Sequence, residues 1–325
     1  MKQEDLRIVF LGTPEFAVES LDRLYKGGYN IVGVVTMPDK PAGRGHKMLH
    51  SPVKQYAEQH GLHLMQPVKL KDPEFIEELR SLNANLFIVI AFRMLPEIVW
   101  SMPELGTFNL HASLLPKYRG AAPINWAVIN GETETGVTTF FLKHEIDTGD
   151  IIAKRAIEIT PEDNVGTVHD RLMQIGAELT LNTVEDIING TLHTIPQDDE
   201  INPAEELPQA PKIFKETCRI DWTQPAKKIH NLVRGLSPYP GAWTEINGLI
   251  NDTPASVKIF ETHVSDNKAA GEPGTISVNG EQMFVSTADN MLEILSLQIP
   301  GKRRMSAAEF IRGYHPQDNR LTIVV

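Results

Sequence analysis

The chain has 325 residues, of which 41% are apolar and 22% charged, a composition typical of a folded protein with length for two domains. Its single cysteine, Cys218, excludes an internal disulfide and a cysteine-based metal cage. No apolar run is long enough to cross a bilayer, and the acidic residues near the start are atypical of a secretory signal. We therefore expect a cytoplasmic protein that has no contact with a membrane.

The formal net charge of −11 is unevenly distributed. Residues 207–325 carry 13 Lys and Arg against 12 Asp and Glu, whereas the first 206 residues carry 18 against 30. A general nucleic-acid binder would present a basic field, so the acidic whole argues against one. The charge distribution is still compatible with a protein that binds one RNA through local basic segments. It is equally compatible with an acidic surface that only maintains solubility.

The first predicted elements form a β-α-β unit. The run LRIVFLG (6–12) predicts a buried strand, residues 13–28 a helix with Thr13 as N-cap and Pro14 at its first position, and residues 31–36 a second strand. Such a unit implies a parallel, Rossmann-like sheet. The first turn has only Gly12 where a dinucleotide fingerprint needs three glycines, which disfavours an NAD enzyme.

The next elements continue this α/β pattern and then depart from it. Two strands follow two helices, and the very apolar strand NLFIVIAF is expected at the centre of the sheet. Two β-rich runs separated by HEIDTG predict a strand pair, and a long amphipathic helix follows. In chain order these predictions are helices 51–61 and 72–83, strands 85–92, 106–111, 136–143 and 150–160, and helix 167–190.

The domain boundaries follow from a change in composition. Residues 191–210 are rich in proline and acidic residues without a period, which favours a linker between a domain at 1–190 and another at 211–325. In the second domain a short helix (225–236) precedes short strands broken by Gly, Asn and Asp. That pattern predicts a small β-barrel or sandwich.

Asn109 and His111 stand two residues apart at the end of the predicted strand 106–111. They would share one face of the strand, at the edge of the sheet where ligands bind in α/β folds. Asp147, in the turn-forming HEIDTGD, could orient and charge His111. The alternatives are a histidine and an amide satisfied by nearby backbone, and an aspartate that only caps its turn.

The long segment 37–54 concentrates basic residues inside the acidic half of the chain. Lys40, Arg44 and Lys47 lie in it, and Gly43 and Gly45 allow it to bend. Long loops are often functional, and this charge would suit phosphate or RNA. A solvated surface loop explains the same residues equally well.

Several motifs together carry a resemblance to a known family. The chain has Asn109-x-His111, then SLLP (113–116), Arg119-Gly120 and the DTG of residues 147–149. In this order they resemble the signature of the 10-formyltetrahydrofolate-dependent formyltransferases. FLGTPEFAV, the segment PDKPAGRGHKMLHSPVK, LSPYPGAW and GKRRMSAAEFIRG extend the resemblance over nearly the whole chain and narrow it to the members that act on methionyl-tRNA.

The resemblance implies transfer of the formyl group of 10-formyltetrahydrofolate to the α-amine of methionine on initiator tRNA, which supplies translation initiation. No metal and no obligate protein partner are implied. The C-terminal domain is expected to resemble an oligonucleotide-binding barrel. The implied site residues are Asn109, His111 and Asp147 for catalysis, Ser113, Leu114, Leu115 and Pro116 for folate, and Lys40, Arg44, Lys47, Lys302, Arg303 and Arg304 for tRNA.

Two positions depart from the family pattern. Arg93 stands in AFRMLP where the family has a glycine after an aromatic residue, and Glu145-Ile146 precede Asp147 where small apolar residues are common. We expect a bulky cation near the folate and an extra carboxylate near Asp147. The alternative functions are a related enzyme acting on a sugar nucleotide or small amine, and a non-catalytic RNA-binding protein on an enzyme fold.

Overall fold

The computed structural model describes residues 1–42, 47–201, 206–250, 253–316 and 321–325. Arg44 lies outside these residues. The chain divides into two compact units, the first comprising Met1–Gly120, Thr135–Ile157 and His169–Gln209, and the second Ala121–Glu134, Glu158–Val168 and Ala210–Val325. The boundaries at 190 and 210 that composition suggests stay a prediction.

The strands of the N-terminal two thirds are short and mostly apolar. They comprise β1 Arg7–Gly12, β2 Asn30–Val35, β3 Lys40–Ala42, β4 Lys47–Leu49, β5 Leu64–Met65, β6 Leu86–Ile90, β7 Thr107–His111, β8 Arg119–Gly120, β9 Glu134–Phe141, β10 Ile151–Glu158 and β11 Gln209–Ala210. The α-helices of the same part are α1 Glu15–Lys26, α2 Pro52–Gln59, α3 Pro73–Ser81, α4 Glu97–Trp100, α5 Pro123–Ile129 and α6 Val165–Asn189.

The main sheet has the order β10-β9-β7-β6-β1-β2-β5 in the described part of the chain. β1 pairs in parallel with β2 and β6, and β6 pairs in parallel with β7. All of β6 is buried, as expected of a parallel strand covered on both faces. The antiparallel β9 then breaks the βαβ pattern beside β7. The predicted Rossmann-like sheet and its central strand are confirmed.

The helix starts show how local chemistry sets the ends of elements. Ser51 caps α2 by accepting a hydrogen bond from the Lys54 amide, and Asp72 caps α3 in the same way. In α1 the N-cap is Pro14 and not the predicted Thr13, whose hydroxyl is buried without a partner among the described residues. Proline has no N–H to lose there, so the helix still starts cleanly one residue later.

Residues 40–42 of β3 and 47–49 of β4 pair in an antiparallel arrangement, called here the β3–β4 hairpin, where the sequence predicts a loop. Lys40 pairs with Leu49, and Ala42 pairs with Lys47. The short strands carry Lys and Pro and no alternation of apolar residues, so no pattern signals them. Residues 40–42 and 47–49 of the basic segment are thus held in an extended form.

The second unit contains α7 and a curled antiparallel sheet. The elements here are α7 Ala226–Leu236, β12 Ala242–Ile250, β13 Thr253–Lys268, β14 Ile276–Asn279, β15 Gln282–Ser286, β16 Asn290–Gln298, β17 Met305–Ser306, α8 Ala307–Tyr314 and β18 Thr322–Val324. The order is β14-β15-β16-β13-β12-β18, with β17 paired to β16. Gly274, just before β14, lies against Ile323 and Val325, so the edges of the sheet approach each other. The predicted small barrel-like domain is confirmed in this curled form.

A single apolar core fills this curled sheet, with Trp222 and Phe310 fully buried in it. The helix α8, which contributes Phe310, was not among the predicted elements. Ser306 accepts a hydrogen bond from the Glu309 amide while the Glu309 carboxylate accepts one from the Ser306 amide. This reciprocal cap is a sequence signal that could have found the helix.

Within the described ranges, none of the helices combines the length and apolar character needed to span a membrane.

Candidate active site

The strand β7 carries two of the predicted catalytic residues. Asn109 pairs with Val89 of β6, and His111 pairs with Thr138 of β9. Because residues two apart on a strand point to one face, both side chains leave the same face at the carboxyl end of β7. The Oδ1 atom of Asn109 is buried and has no hydrogen-bond partner among the described residues. This oxygen is therefore a candidate acceptor for an N–H group of a ligand.

The His111 imidazole is buried and held between two partners. Its Nε2 atom lies 2.9 Å from the carbonyl oxygen of Tyr118, and its Nδ1 atom lies 3.8 Å from Oδ2 of Asp147. A carbonyl oxygen can only accept a hydrogen bond, so Nε2 is the donor there. In the neutral ring Nδ1 then has a free lone pair beside a carboxylate. This arrangement lets Nδ1 take up a proton and lets Asp147 stabilise the resulting charge.

Asp147 sits in a tight turn that the rest of the first unit holds in place. Its φ of +55° is a left-handed conformation that is uncommon for a residue other than glycine. Its Oδ2 atom accepts a hydrogen bond of 2.9 Å from the Gly120 amide. Thr148 donates to the carbonyl of Glu145, so the turn is also closed internally. The carboxylate beside His111 is thus kept in one position.

Gly149, the last residue of the DTG motif, permits a close approach of two backbones. A Cβ atom at this position would lie 1.5 Å from the carbonyl oxygen of Phe141. Gly136 meets a similar restriction from the carbonyl of Arg155. Only glycine fits at these two places, and this explains why the motif ends in glycine.

The segment predicted to hold folate, Ser113–Pro116, is itself well bonded. Ser113 donates through its hydroxyl to the Lys117 carbonyl, and Thr138 donates to the Ser113 carbonyl and accepts from the Leu115 amide. The side chains of Ser113 and Leu115 are fully buried, Pro116 is buried and Leu114 is half-buried. Ser113 and Leu115 therefore shape the loop from within, and Leu114 is the residue of the four that stays partly accessible.

The sequence analysis did not single out Gln197, and it named Arg119 only as part of the Arg119-Gly120 motif. Gln197, inside the predicted linker, is 2% exposed and donates to the carbonyls of Asp147 and Gly149. Arg119 donates twice to the Gln197 side-chain oxygen. Neither contact leaves a local pattern in the sequence, because the partners lie 48 to 78 residues apart.

Arg93 and Glu145, the two residues that depart from the family pattern, differ in their surroundings. The Arg93 guanidinium donates to the carbonyls of Pro67 and Val68, and burial lowers its pKa. Its charge is thus used to hold a neighbouring loop. Glu145 is exposed to solvent and bonds Thr148 through its backbone carbonyl.

The hairpin β3–β4 is anchored at its base by Asp39. This carboxylate accepts a hydrogen bond from Lys54 and another from Gln66, and lies 3.0 Å from Nδ1 of His50. The pKa of Asp39 lies well below its usual range, mainly because of the hydrogen bond from Lys54 and secondly because of the bond from Gln66. Lys40 is exposed on the hairpin, and Lys47 pairs through its backbone in β4.

The predicted basic cluster at 302–304 is largely neutralised. Arg303 forms an ion pair of 2.8 Å with Glu309, and Arg304 forms one with Glu261. Lys302 has no ion pair within the described residues and is exposed. Two of the three charges therefore have carboxylate partners on this surface.

A second group of cations on the same unit surrounds aromatic rings. Lys215 and Arg219 lie 5.3 and 5.8 Å from the ring centre of Trp243, and Lys212 lies 5.6 Å from that of Phe214. These distances are within the range of cation–π contacts. Aromatic and cationic groups together suit single-stranded nucleic acid, a property that the sequence did not signal at these positions.

Comparison with protein families defines the class of this fold and site. A family model described as "Formyl transferase" matches residues 6–184, and one described as "Formyl transferase, C-terminal domain" matches residues 212–315. The chain belongs to the formyl transferase family. The family expected from the motifs is thereby confirmed.

The similar curated proteins share one particular name. The chain is 59% identical to "Methionyl-tRNA formyltransferase" of Bacteroides fragilis over 97% of each chain, and 58% identical to that of Phocaeicola vulgatus over 98% of this chain and 99% of the other. Among solved structures, the N-formyltransferase from Helicobacter canadensis in complex with folinic acid and dTDP-3-aminofucose has a TM-score of 0.64 at 22% identity. That alignment covers 89% of this chain and 98% of the other, and it shows the fold alone.

Proposed function

We propose that this enzyme transfers the formyl group of 10-formyltetrahydrofolate to the α-amine of methionine on initiator tRNA. The observation that carries the proposal is the meeting of Asn109, His111 and Asp147 at the carboxyl end of β7. Relatives at 58–59% identity over nearly their full length bear the name of this activity.

Formyl transfer to an amine makes three chemical demands. The attacking amine has to be neutral, the formyl oxygen gains negative charge as the amine attacks, and the leaving nitrogen needs a proton. Asn109 is proposed to meet the second demand by donating from its amide to that oxygen. Its buried, unpartnered Oδ1 can accept an N–H of the amine.

His111 and Asp147 are proposed to handle the protons. Because Nε2 of His111 donates to Tyr118, the proton received from the amine is held at Nδ1, which faces Asp147 at 3.8 Å. The carboxylate stabilises the charged imidazole until the proton passes to the leaving group. Burial of both side chains, 7% and 12% exposed, limits the access of competing water.

The residues near β7 fit a folate, which supplies the formyl group when bound. The orphaned Oδ1 of Asn109 calls for a polar partner from a ligand. Leu114, which is half-buried, is proposed to contact the flat ring. We retain Ser113–Pro116 as the proposed folate wall, with Ser113 and Leu115 acting through the shape of the loop.

The tRNA is proposed to contact the basic hairpin and the second unit. Lys40, Arg44 and Lys47 would approach its phosphates, with Lys302, Arg303 and Arg304 as further contacts. The cations around Trp243 support a polyanionic partner for this unit.

The decisive experiment compares acceptors with the full-length protein. Purified enzyme is given 10-formyltetrahydrofolate and, in parallel, initiator methionyl-tRNA, elongator methionyl-tRNA and a dTDP-amino sugar. We expect rapid formylation of the initiator species alone. Efficient formylation of the sugar nucleotide with none of the tRNA would replace this function by the related sugar enzyme, and no transfer to any acceptor would favour the non-catalytic alternative.

A further inference from the structure

The segment expected to be a linker contains a buried amide whose hydrogen bonds are complete. Nε2 of Gln197 donates to the carbonyls of Asp147 at 2.9 Å and Gly149 at 2.7 Å. Its Oε1 accepts from Nε and Nη2 of Arg119 at 3.1 and 2.7 Å. A primary amide offers two N–H groups and one oxygen, and every one is used here. Gln197 thus joins the 147–149 turn to the Arg119 loop, in addition to the Asp147 side chain, which accepts from the Gly120 amide.

Both of these loops carry atoms of the catalytic group. The turn 147–149 holds the carboxylate that faces His111, and residue 147 is in an unfavourable left-handed conformation. Backbone in such a conformation persists when its surroundings hold it. Arg119 lies between Tyr118, which binds Nε2 of His111, and Gly120, which binds the Asp147 carboxylate.

The segment around Gln197 is itself anchored on the first unit. Ile195 and Ile151 exchange two backbone hydrogen bonds of 2.8 Å, which fix the segment beside β10. Further along, the Pro208 carbonyl accepts from the amide of Tyr118. The amide of Gln197 is therefore presented from a firm support and not from a free chain.

We propose that Gln197 is a positioning residue for formyl transfer, which holds the Asp147 turn and the Arg119 loop so that Asp147 faces Nδ1 of His111. This inference rests on the proposed function. Gln197 touches neither imidazole nor carboxylate and acts through the backbone of both loops. Because proton transfer depends steeply on distance, a shift of about 1 Å in the carboxylate is expected to cost about 100-fold in rate.

The test replaces the amide without changing its length. Gln197→Met retains the volume and removes every hydrogen bond, while Gln197→Glu keeps the acceptor for Arg119 and removes both donors. We expect Gln197→Met to lower kcat roughly 10- to 100-fold with KM for each substrate within about twofold of wild type. The pH profile of kcat is displaced, and Gln197→Glu shows the same pattern. Gln209→Met, at an exposed glutamine of the same segment, is the matched control and retains wild-type kinetics.

A spectroscopic measurement separates this role from general support of the fold. In protein labelled with ¹⁵N-histidine, the Nδ1 resonance of His111 is expected to move in Gln197→Met while the unfolding temperature stays near that of Gln209→Met. A wild-type kcat in Gln197→Met overturns the proposal, as does a lowered kcat with an unchanged Nδ1 resonance and pH profile. Failure of the wild-type enzyme to formylate methionyl-tRNA would refute the proposed function instead, and the resonance would still decide the role of Gln197.

Discussion

The loop after β7 and the β3–β4 hairpin both belong to the first unit, but they are held in opposite ways. In the loop, Ser113, Leu115 and Tyr118 are buried, and their polar groups bond within the loop and to β7 and β9. On the hairpin, Met48 and Leu49 are 50% and 65% exposed. Described side-chain bonds at its base converge on Asp39.

This contrast follows from what each region is proposed to do. Proton and formyl transfer need atoms held to fractions of an ångström, and buried hydrogen bonds with complete partners provide that accuracy. Attraction to phosphates depends on the number and reach of cations and declines gradually with distance. Exposed chain anchored at one end is sufficient for that purpose. Changes in the loop should therefore affect kcat, and changes in the hairpin should affect KM for tRNA.

The largest expected effect comes from the imidazole of the site. His111→Ala removes the group that accepts the proton at Nδ1, and we expect kcat to fall roughly 10³-fold or more with little change in KM for tRNA. Single-turnover formylation of initiator methionyl-tRNA measures this. His193→Ala, at an exposed histidine, serves as the control. Activity above a tenth of wild type in His111→Ala would exclude the proposed proton role.

The next effect tests how rigid the site region is. Gly149→Ala places a Cβ atom 1.5 Å from the carbonyl of Phe141, and we expect a loss of about 3 kcal/mol in the free energy of unfolding. Gly313→Ala, in α8 with nothing within 4 Å, is the control and should be neutral or slightly stabilising. Urea unfolding measures both variants. Equal stability of the two variants would show that the loops of the site can shift to accept the added Cβ atom, and that they are less rigid than we expect.

The hairpin anchor should show a smaller effect and a characteristic pH dependence. Asp39→Asn removes the carboxylate that binds Lys54, and we expect KM for tRNA to rise roughly two- to fivefold with kcat unchanged. The pKa of Asp39 is lowered in the folded state, so its stabilisation is complete above about pH 4 and is lost as the pH falls through the folded value.

Acid unfolding of the two proteins checks the sign of that linkage. Wild type and Asp39→Asn should differ in stability by a constant amount at pH 5 to 7, and the difference should shrink below about pH 4 as the pH falls toward the lowered pKa of Asp39. Asp39→Glu keeps the charge and is the control for kcat and KM. A difference that grows toward low pH, or a loss in kcat instead of KM, would contradict the anchoring role.

The smallest expected effect distinguishes free from compensated cations. Lys302→Ala should raise KM for tRNA by about twofold at most and lower the dependence of log KM on log salt by about one. Arg304→Ala should change both less, because Glu261 already neutralises that charge. Measuring KM between low and moderate salt separates the two variants. A larger effect of Arg304→Ala would show that Glu261 releases the arginine when tRNA binds.

Patterns with a short range along the chain were readable from the sequence. The continuous apolar run of β6 and the long amphipathic α6 were predicted within a few residues, because burial on both faces or on one face imposes its own period. The capping box of Ser306 and Glu309 was also present in the sequence, although α8 was not predicted from it. The hairpin β3–β4 has no such period and appears only in the structure.

For the site, the sequence placed Asn109 and His111 on one face of one strand, since the pleat alone determines that. The distance from Asp147 to His111 and the identity of the partner of Nε2 do not follow from sequence spacing. Asp147 is 36 residues and Tyr118 is 7 residues from His111, and both reach the imidazole only when the loops pack. The role of the predicted linker was the feature that the sequence indicated least. Gln197 bonds across 48 to 78 residues, and an isolated glutamine in an acidic, proline-rich stretch has no local signature.

The sequence by itself determined the family and the Rossmann-like sheet, and it supplied the residues proposed for catalysis, because motifs and periods are properties of neighbouring residues. Tertiary structure alone decided which charges at 302–304 are neutralised, which loop uses Arg93, and how the Asp147 turn is held. The reason is that hydrogen bonds and ion pairs are effective only over a few ångströms. Folding brings such partners within that range from distant parts of the chain.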